Sequence, residues 1–223
     1  MIIDAHTHSL SADNAIIAAQ PTDFAPQPGR LYSIGIHPWN TDQATESHIE
    51  LLQQCARHPQ VVAIGETGLD SLRGASLERQ TAIFEQHISL AQQLHMPLII
   101  HCVRTSQQVL ALHRQLAITV PCAIHGMRSN HHVAQALLDA GFYLSFGPRF
   151  NLRSIQATPL DRLLIETDDS GQSITQVAQA IAPTLSLDTN DLLALAARNL
   201  NYLIAPNDTI GDGSELYQKQ GIM

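Results

Sequence analysis

The chain has 223 residues, a formal net charge of −8 and 44% hydrophobic residues. That balance argues against a dedicated nucleic-acid binder built on a basic stripe. No apolar run approaches the roughly 18 residues of a membrane span. Three irregularly spaced cysteines (Cys55, Cys102, Cys122) form neither a disulfide framework nor a zinc ribbon, and reduced thiols make a cytoplasmic protein the default. The first residues lack the basic region and cleavage pattern of a secretory leader, so none is expected.

Short apolar runs alternate with longer amphipathic ones, the pattern of βα units. Strands are predicted at residues 2–5, 15–19, 31–36, 61–64, 97–100, 120–124, 142–146 and 163–165. Helices are predicted over 46–58, 77–95, 106–116, 130–140, 174–181 and 191–204, with Ser106 as an N-cap and Gly141 as the glycine that ends its helix. Residues 20–30 are proline-containing and read as loop, and the polar tail from Ala205 reads as a surface extension. Eight parallel strands close naturally into a (β/α)8 TIM barrel. Neither of the first two strands is followed by a helix, so the barrel is expected to be trimmed in its N-terminal third. Residues 1–223 are expected to form one domain.

The strand ends carry the chemistry. His6 and His8 follow the first, His37 the third, Glu66 the fourth, His101 the fifth, His125 the sixth and Asp168 the eighth. Alternate residues of an extended chain share a face, so His6 and His8 can converge. In a TIM barrel the C-terminal strand ends meet at one face, where active sites are built. The remaining seven histidines fall in predicted helices or loops. Nitrogen and oxygen ligands without thiolate suit Mg²⁺, Mn²⁺ or Zn²⁺. Two such ions, roughly 3.5–4 Å apart, would activate a water for an in-line displacement. They need a bridging anion. The only lysine, Lys219, lies near the C-terminus, which rules out the carbamylated lysine used by some barrel hydrolases and leaves Glu66 as the natural bridge.

Six segments together, Asp4-Ala5-His6-Thr7-His8, Gly35-Ile36-His37-Pro38, Gly65-Glu66-Thr67-Gly68-Leu69-Asp70, Pro97-Leu98-Ile99-Ile100-His101, Ile124-His125-Gly126 and Glu166-Thr167-Asp168, closely resemble the TatD-type metal-dependent deoxyribonucleases, a branch of the amidohydrolase-like barrels. Asn199–Leu203 is also similar to that family. The resemblance implies a divalent-metal-dependent phosphodiesterase. It places one metal with His6, His8 and Glu66 and a second with Glu66, His101 and His125. Asp168 would hold or activate the water, and His37 would lie near the substrate phosphate. The chain departs from the family in its trimmed N-terminal third and in Asp169-Ser170-Gly171 after Asp168, both of which help shape a substrate groove.

Other residues carry two readings each. Arg104, Arg128 and Arg149 follow strand ends and either bind phosphate or form surface salt bridges. Trp39 either stacks a base or wedges a loop. Asp4 is read as a supporting hydrogen-bond partner, Asp70 as mainly structural and Cys102 as packing. The expected partner is DNA or a small phosphodiester, with no membrane and no obligate protein partner. The alternative on the same site is a metal-dependent C–N or C–O hydrolase acting on an amide, lactone or aminoacyl ester.

Overall fold

In a computed structural model, which describes residues 1–205, eight parallel strands form a closed barrel in sequence order. They are β1 (Asp4–Thr7), β2 (Ala15–Ala19), β3 (Leu31–Ile34), β4 (Val61–Asp70), β5 (Leu98–Val103), β6 (Cys122–Ile124), β7 (Tyr143–Phe146) and β8 (Leu163–Ile165). Around them run α1 (Glu46–Cys55), α2 (Leu77–Leu94), α3 (Ser106–Gln115), α4 (His131–Asp139), α5 (Leu152–Ala157), α6 (Ile174–Ile181) and α7 (Thr189–Ile204). The expected polar tail and Lys219 lie outside the described residues, apart from Ala205. Among the described residues no helix is long and apolar enough to cross a membrane.

The N-terminal trimming is as the sequence implies. Residues 8–14 alone join β1 to β2, and the link to β3 holds only a 3-10 turn at Pro21–Asp23. Arg30 pins the first loop, hydrogen-bonding the Ala12 carbonyl and pairing with Asp13. Helix starts follow local capping. The Asn130 side chain accepts from the backbone N–H groups of His132 and Val133, and Gly141 ends that helix region at φ +88°. Ser106 is the first helical residue rather than the cap. The flanking residue is Thr105, whose hydroxyl instead donates to the Leu69 carbonyl at 2.9 Å. Helix α5 was not expected. It is only one and a half turns long, too short to show a periodicity, and the Asn151 side chain caps it.

One apolar cluster takes Ile16, Leu31, Ala63, Ile99, Ala123 and Leu164 from six different strands and is closed off by Leu200 and Leu203 of α7. It is the floor of the barrel lumen. A second, larger cluster packs the outer strand faces against the helices. Each large apolar side chain buried here contributes about 1.5–3 kcal/mol. Asn199 fastens α7 beneath β8, donating to the carbonyls of Leu160 and Leu163. Two residues beyond the floor residues come His101 within β5 and His125 and Glu166 just past the ends of β6 and β8, so strand alternation sets the polar cluster directly above the apolar one.

Glu66 reaches that cluster by a different route. The β4–β5 register slips by one residue between Ile64 and Thr67. This bulge brings Glu66, three residues after the floor residue Ala63, round to the lumen. Close strand approach allows it. A Cβ on Gly35 would lie 2.6 Å from the Glu66 carbonyl oxygen, and one on Gly68, at φ +137°, would collide with the His101 carbonyl.

Candidate metal centre

Glu66 is 5% exposed and its two oxygens face different neighbours. Oε1 lies 2.7 Å from His125 Nε2, 2.8 Å from His101 Nδ1 and 3.0 Å from His37 Nε2. Oε2 lies 3.3 Å from both His6 Nε2 and His8 Nε2. Asp168 faces that second side, with Oδ1 3.9 Å from His6 Nε2 and 3.7 Å from His8 Nε2. The other six strand-end residues predicted from sequence therefore gather around the Glu66 carboxylate. The barrel seam sets the register of the first and last strands. Asp4 accepts from the backbone N–H groups of His6 and Thr167 and from the Thr167 hydroxyl, tying the His6 and Asp168 segments together.

Burial drives the Glu66 carboxyl upward, but the charges of His125 and His6 and the close approach of the His101 and His125 rings hold it well below the ordinary carboxylate range. His125 shows the converse: burial opposes its charge, while Glu66 and Glu166 raise its affinity for a proton well above the usual value. The adjacent Glu66 carboxylate raises His8 against the effect of burial. Burial lowers His37 in spite of Glu66. Because His37 Nδ1 accepts the Trp39 backbone N–H, its proton sits on Nε2, pointing into the centre.

Several buried polar atoms here have no hydrogen-bond partner: both ring nitrogens of His6, Nδ1 of His125, Oε2 of Glu66 and Oε2 of Glu166. Such a group costs about 1–3 kcal/mol when left unpaired. Facing lone pairs of this kind fit a cation held among them. Four sets of three side chains bring their ligand atoms within 4.8 Å of one another: His6, Glu66 and His125; His6, His8 and Asp168; His37, Glu66 and His101; and His125, Glu166 and Asp168. Imidazole and carboxylate together suit Mg²⁺, Mn²⁺ or Zn²⁺.

Two contributors were not read from sequence as parts of the centre. Glu166 is fully buried, accepts the Gly126 N–H and lies 3.6 Å from His125 Nδ1. Asp70, read as structural, reaches His101 Nε2 at 3.1 Å. The signal for both was present, since Glu166 lies two residues before Asp168 and Asp70 four after Glu66, but only the closed barrel shows what they touch.

A cavity of about 770 Å³ opens over the cluster, and Trp39, Arg104, Arg128 and Arg149 all line it. Arg128 lies 3.6 Å from Asp168, and Arg149 lies 3.6 Å from the exposed Asp169. Burial raises the Cys102 thiol, which keeps it protonated and suits the packing role expected for it.

The family model described as TatD related DNase matches residues 3–203. The chain is 34% identical over 148 residues to the uncharacterized metal-dependent hydrolase YcfH of Escherichia coli K12, covering 62% of this chain and 55% of that protein. It is also 34% identical over 144 residues to the 3'-5' ssDNA/RNA exonuclease TatD of Klebsiella pneumoniae strain 342, covering 60% and 55%. The chain thus spans about half the length of these curated relatives. The solved structure of the TatD homologue YjjV from Escherichia coli K12 superposes with a TM-score of 0.77 over 85% of each chain at 23% identity, which shows the shared barrel. With most of its described length matched, the chain belongs to the TatD related DNase family.

Proposed function

We propose that this chain is a divalent-metal-dependent phosphodiesterase acting on DNA ends or small phosphodiesters, with residues 1–223 working as one barrel domain. The observation that carries the proposal is the division of Glu66, one oxygen toward His6 and His8 and the other toward His101 and His125. In this scheme Glu66 would help to hold both of two ions, one together with His6, His8 and Asp168 and the other together with His101 and His125. When bound, such ions stabilise charge on the phosphoryl oxygens and lower the pKa of water.

The chain's own groups do the rest. Asp168 Oδ1 faces the cavity beside His6 and His8 and accepts the proton of the attacking water. His37 directs its Nε2 proton inward and donates to a phosphate oxygen. Arg104, Arg128 and Arg149 line the approach and offset the acidic net charge where an anionic substrate enters. The name of the Klebsiella relative extends the proposal to single-stranded ends. Three free cysteines support a cytoplasmic setting.

The test is cleavage of single-stranded oligonucleotides by the purified chain with Mg²⁺ or Mn²⁺. EDTA-sensitive release of nucleotides is expected. No cleavage with any divalent metal, alongside turnover of amides, lactones or aminoacyl esters, would replace the phosphodiesterase with the C–N or C–O hydrolase.

A further inference from the structure

Three donors converge on Asp70, the last residue of β4. The Trp39 indole N–H donates to Oδ2 at 2.7 Å, and His101 Nε2 lies 3.1 Å from the same oxygen. The Leu72 backbone N–H donates to Oδ1 at 2.8 Å. Gln80 of α2 clasps the Asp70 backbone on both sides, accepting from its N–H at 2.8 Å and donating to its carbonyl at 3.0 Å. Asp70 is buried and Trp39 is 42% exposed at the cavity wall. An indole N–H and a backbone N–H can only donate, so both carboxylate oxygens act as acceptors.

We propose that Trp39 is a positioning residue which, through Asp70, fixes the tautomer and orientation of His101 and so joins the cavity wall to the metal centre in one hydrogen-bonded unit. With its carboxylate accepting from every side, Asp70 accepts a hydrogen bond from His101 Nε2–H and keeps the proton on that nitrogen. That leaves the Nδ1 lone pair directed at Glu66 Oε1, 2.8 Å away, and at His125 Nε2, 3.2 Å away. Lone pairs set so close together fit a cation shared among them. The Trp39 N–H limits the rotation of the Asp70 carboxylate, and the carboxylate in turn limits the imidazole. Arg73 stacks on the Trp39 ring, its guanidinium carbon 4.6 Å from the ring centroid, but adds no hydrogen bond to the relay.

The proposal rests on His101 being a metal ligand, as in the function proposed above. Its test uses Zn²⁺ alone and no nucleic acid, so a failed cleavage assay leaves it standing and a failed relay leaves the cleavage proposal standing. Zn²⁺ affinity is measured by competition titration for the full chain and three variants. Trp39→Phe keeps an aromatic ring but removes the N–H and is expected to weaken Zn²⁺ binding about tenfold. Arg73→Ala uncovers the ring, keeps the N–H and should leave affinity unchanged. Asp70→Asn should lose more than Trp39→Phe, because one amide oxygen cannot accept from three donors. In ¹⁵N-labelled, Zn²⁺-loaded protein, His101 should carry its proton on Nε2, and that proton should exchange faster in Trp39→Phe. A Trp39→Phe variant with wild-type affinity and exchange, or a His101 proton on Nδ1 in the wild type, overturns the proposal.

Discussion

The two sides of Glu66 are built differently. On the Oε1 side each ligand ring has an acidic group near it: Asp70 lies within hydrogen-bond distance of His101 Nε2, and Glu166 lies 3.6 Å from His125 Nδ1 without a hydrogen bond; both rings are nearly buried. On the Oε2 side the ring nitrogens of His6 have no hydrogen-bond partner, and the side chain of His8 is 48% exposed. Carboxylates behind ligand histidines fix ring orientation and raise basicity, and losing one typically costs 10–100-fold in metal affinity. The Oε1 side is therefore braced at His101 by a hydrogen bond from behind, while the ring of His6 on the β1 side has no such partner. Under the proposed function this asymmetry would divide labour: the braced side would hold its ion, and the open side, which carries Asp168, would exchange and react.

The strongest challenge to that comparison is Glu66→Gln, which removes the charge both sides share. Turnover should fall by about a thousandfold or more, since several kcal/mol of charge stabilisation depend on the ions. Calorimetric metal titration should lose both binding steps. A tight site surviving in this variant would mean that the two sides are independent. Asp168→Asn acts on the open side alone. Loss of a general base should lower kcat by about a hundredfold or more, with metal affinity on the braced side retained.

His87 sharpens the comparison from outside the ligand set. Fully buried in α2, it accepts the Ile36 N–H at 2.9 Å through Nε2 and so holds the chain just before His37. Burial lowers its pKa from 6.5 to about 4, only partly offset by its hydrogen bond to the Ile83 carbonyl. The unfolded chain takes up this proton from about pH 6.5 downward and the folded protein only near pH 4. Stability from the neutral ring is thus complete above about pH 6.5 and is lost as pH falls toward 4. At about 1.4 kcal/mol per unit, the advantage of wild type over His87→Gln in urea unfolding should shrink by about 3 kcal/mol across that window. Asp4, pushed up to about 7 by burial, has the opposite dependence but is common to both proteins and drops out of the difference. A constant difference would show that His87 does not titrate as its burial requires.

Much of this was legible before folding. Strand alternation and the rule that barrel strand ends meet at one face bring His6, His8, His37, His101, His125 and Asp168 together. The bulge that turns Glu66 inward was not legible. Gly65 and Gly68 are poor strand residues, so the predicted strand stops at Ile64, whereas β4 runs on to Asp70. The groups behind the histidines were hidden for a related reason, since Asp70 meets His101 only across the neighbouring strand and Glu166 approaches His125 only across β7. The short helix α5 lacked the length to announce itself.

Smaller effects separate the sides more finely. His8→Ala should weaken the weaker of two metal-binding steps by about tenfold and leave the tighter one in place. Arg104→Ala, at an exposed position on the cavity wall, should raise KM for an oligonucleotide a few-fold with kcat unchanged, and the effect should vanish at high salt. Equal loss of both metal steps in His8→Ala would contradict the division into braced and open halves.

The most direct measurement is anomalous scattering from crystals of the chain grown with Mn²⁺. Two peaks should flank Glu66, one beside His101 and His125 at high occupancy and one beside His6, His8 and Asp168 that fades first as Mn²⁺ is lowered. A single peak, or two peaks with Glu66 contacting neither or only one, would contradict the bridging glutamate on which the centre is built.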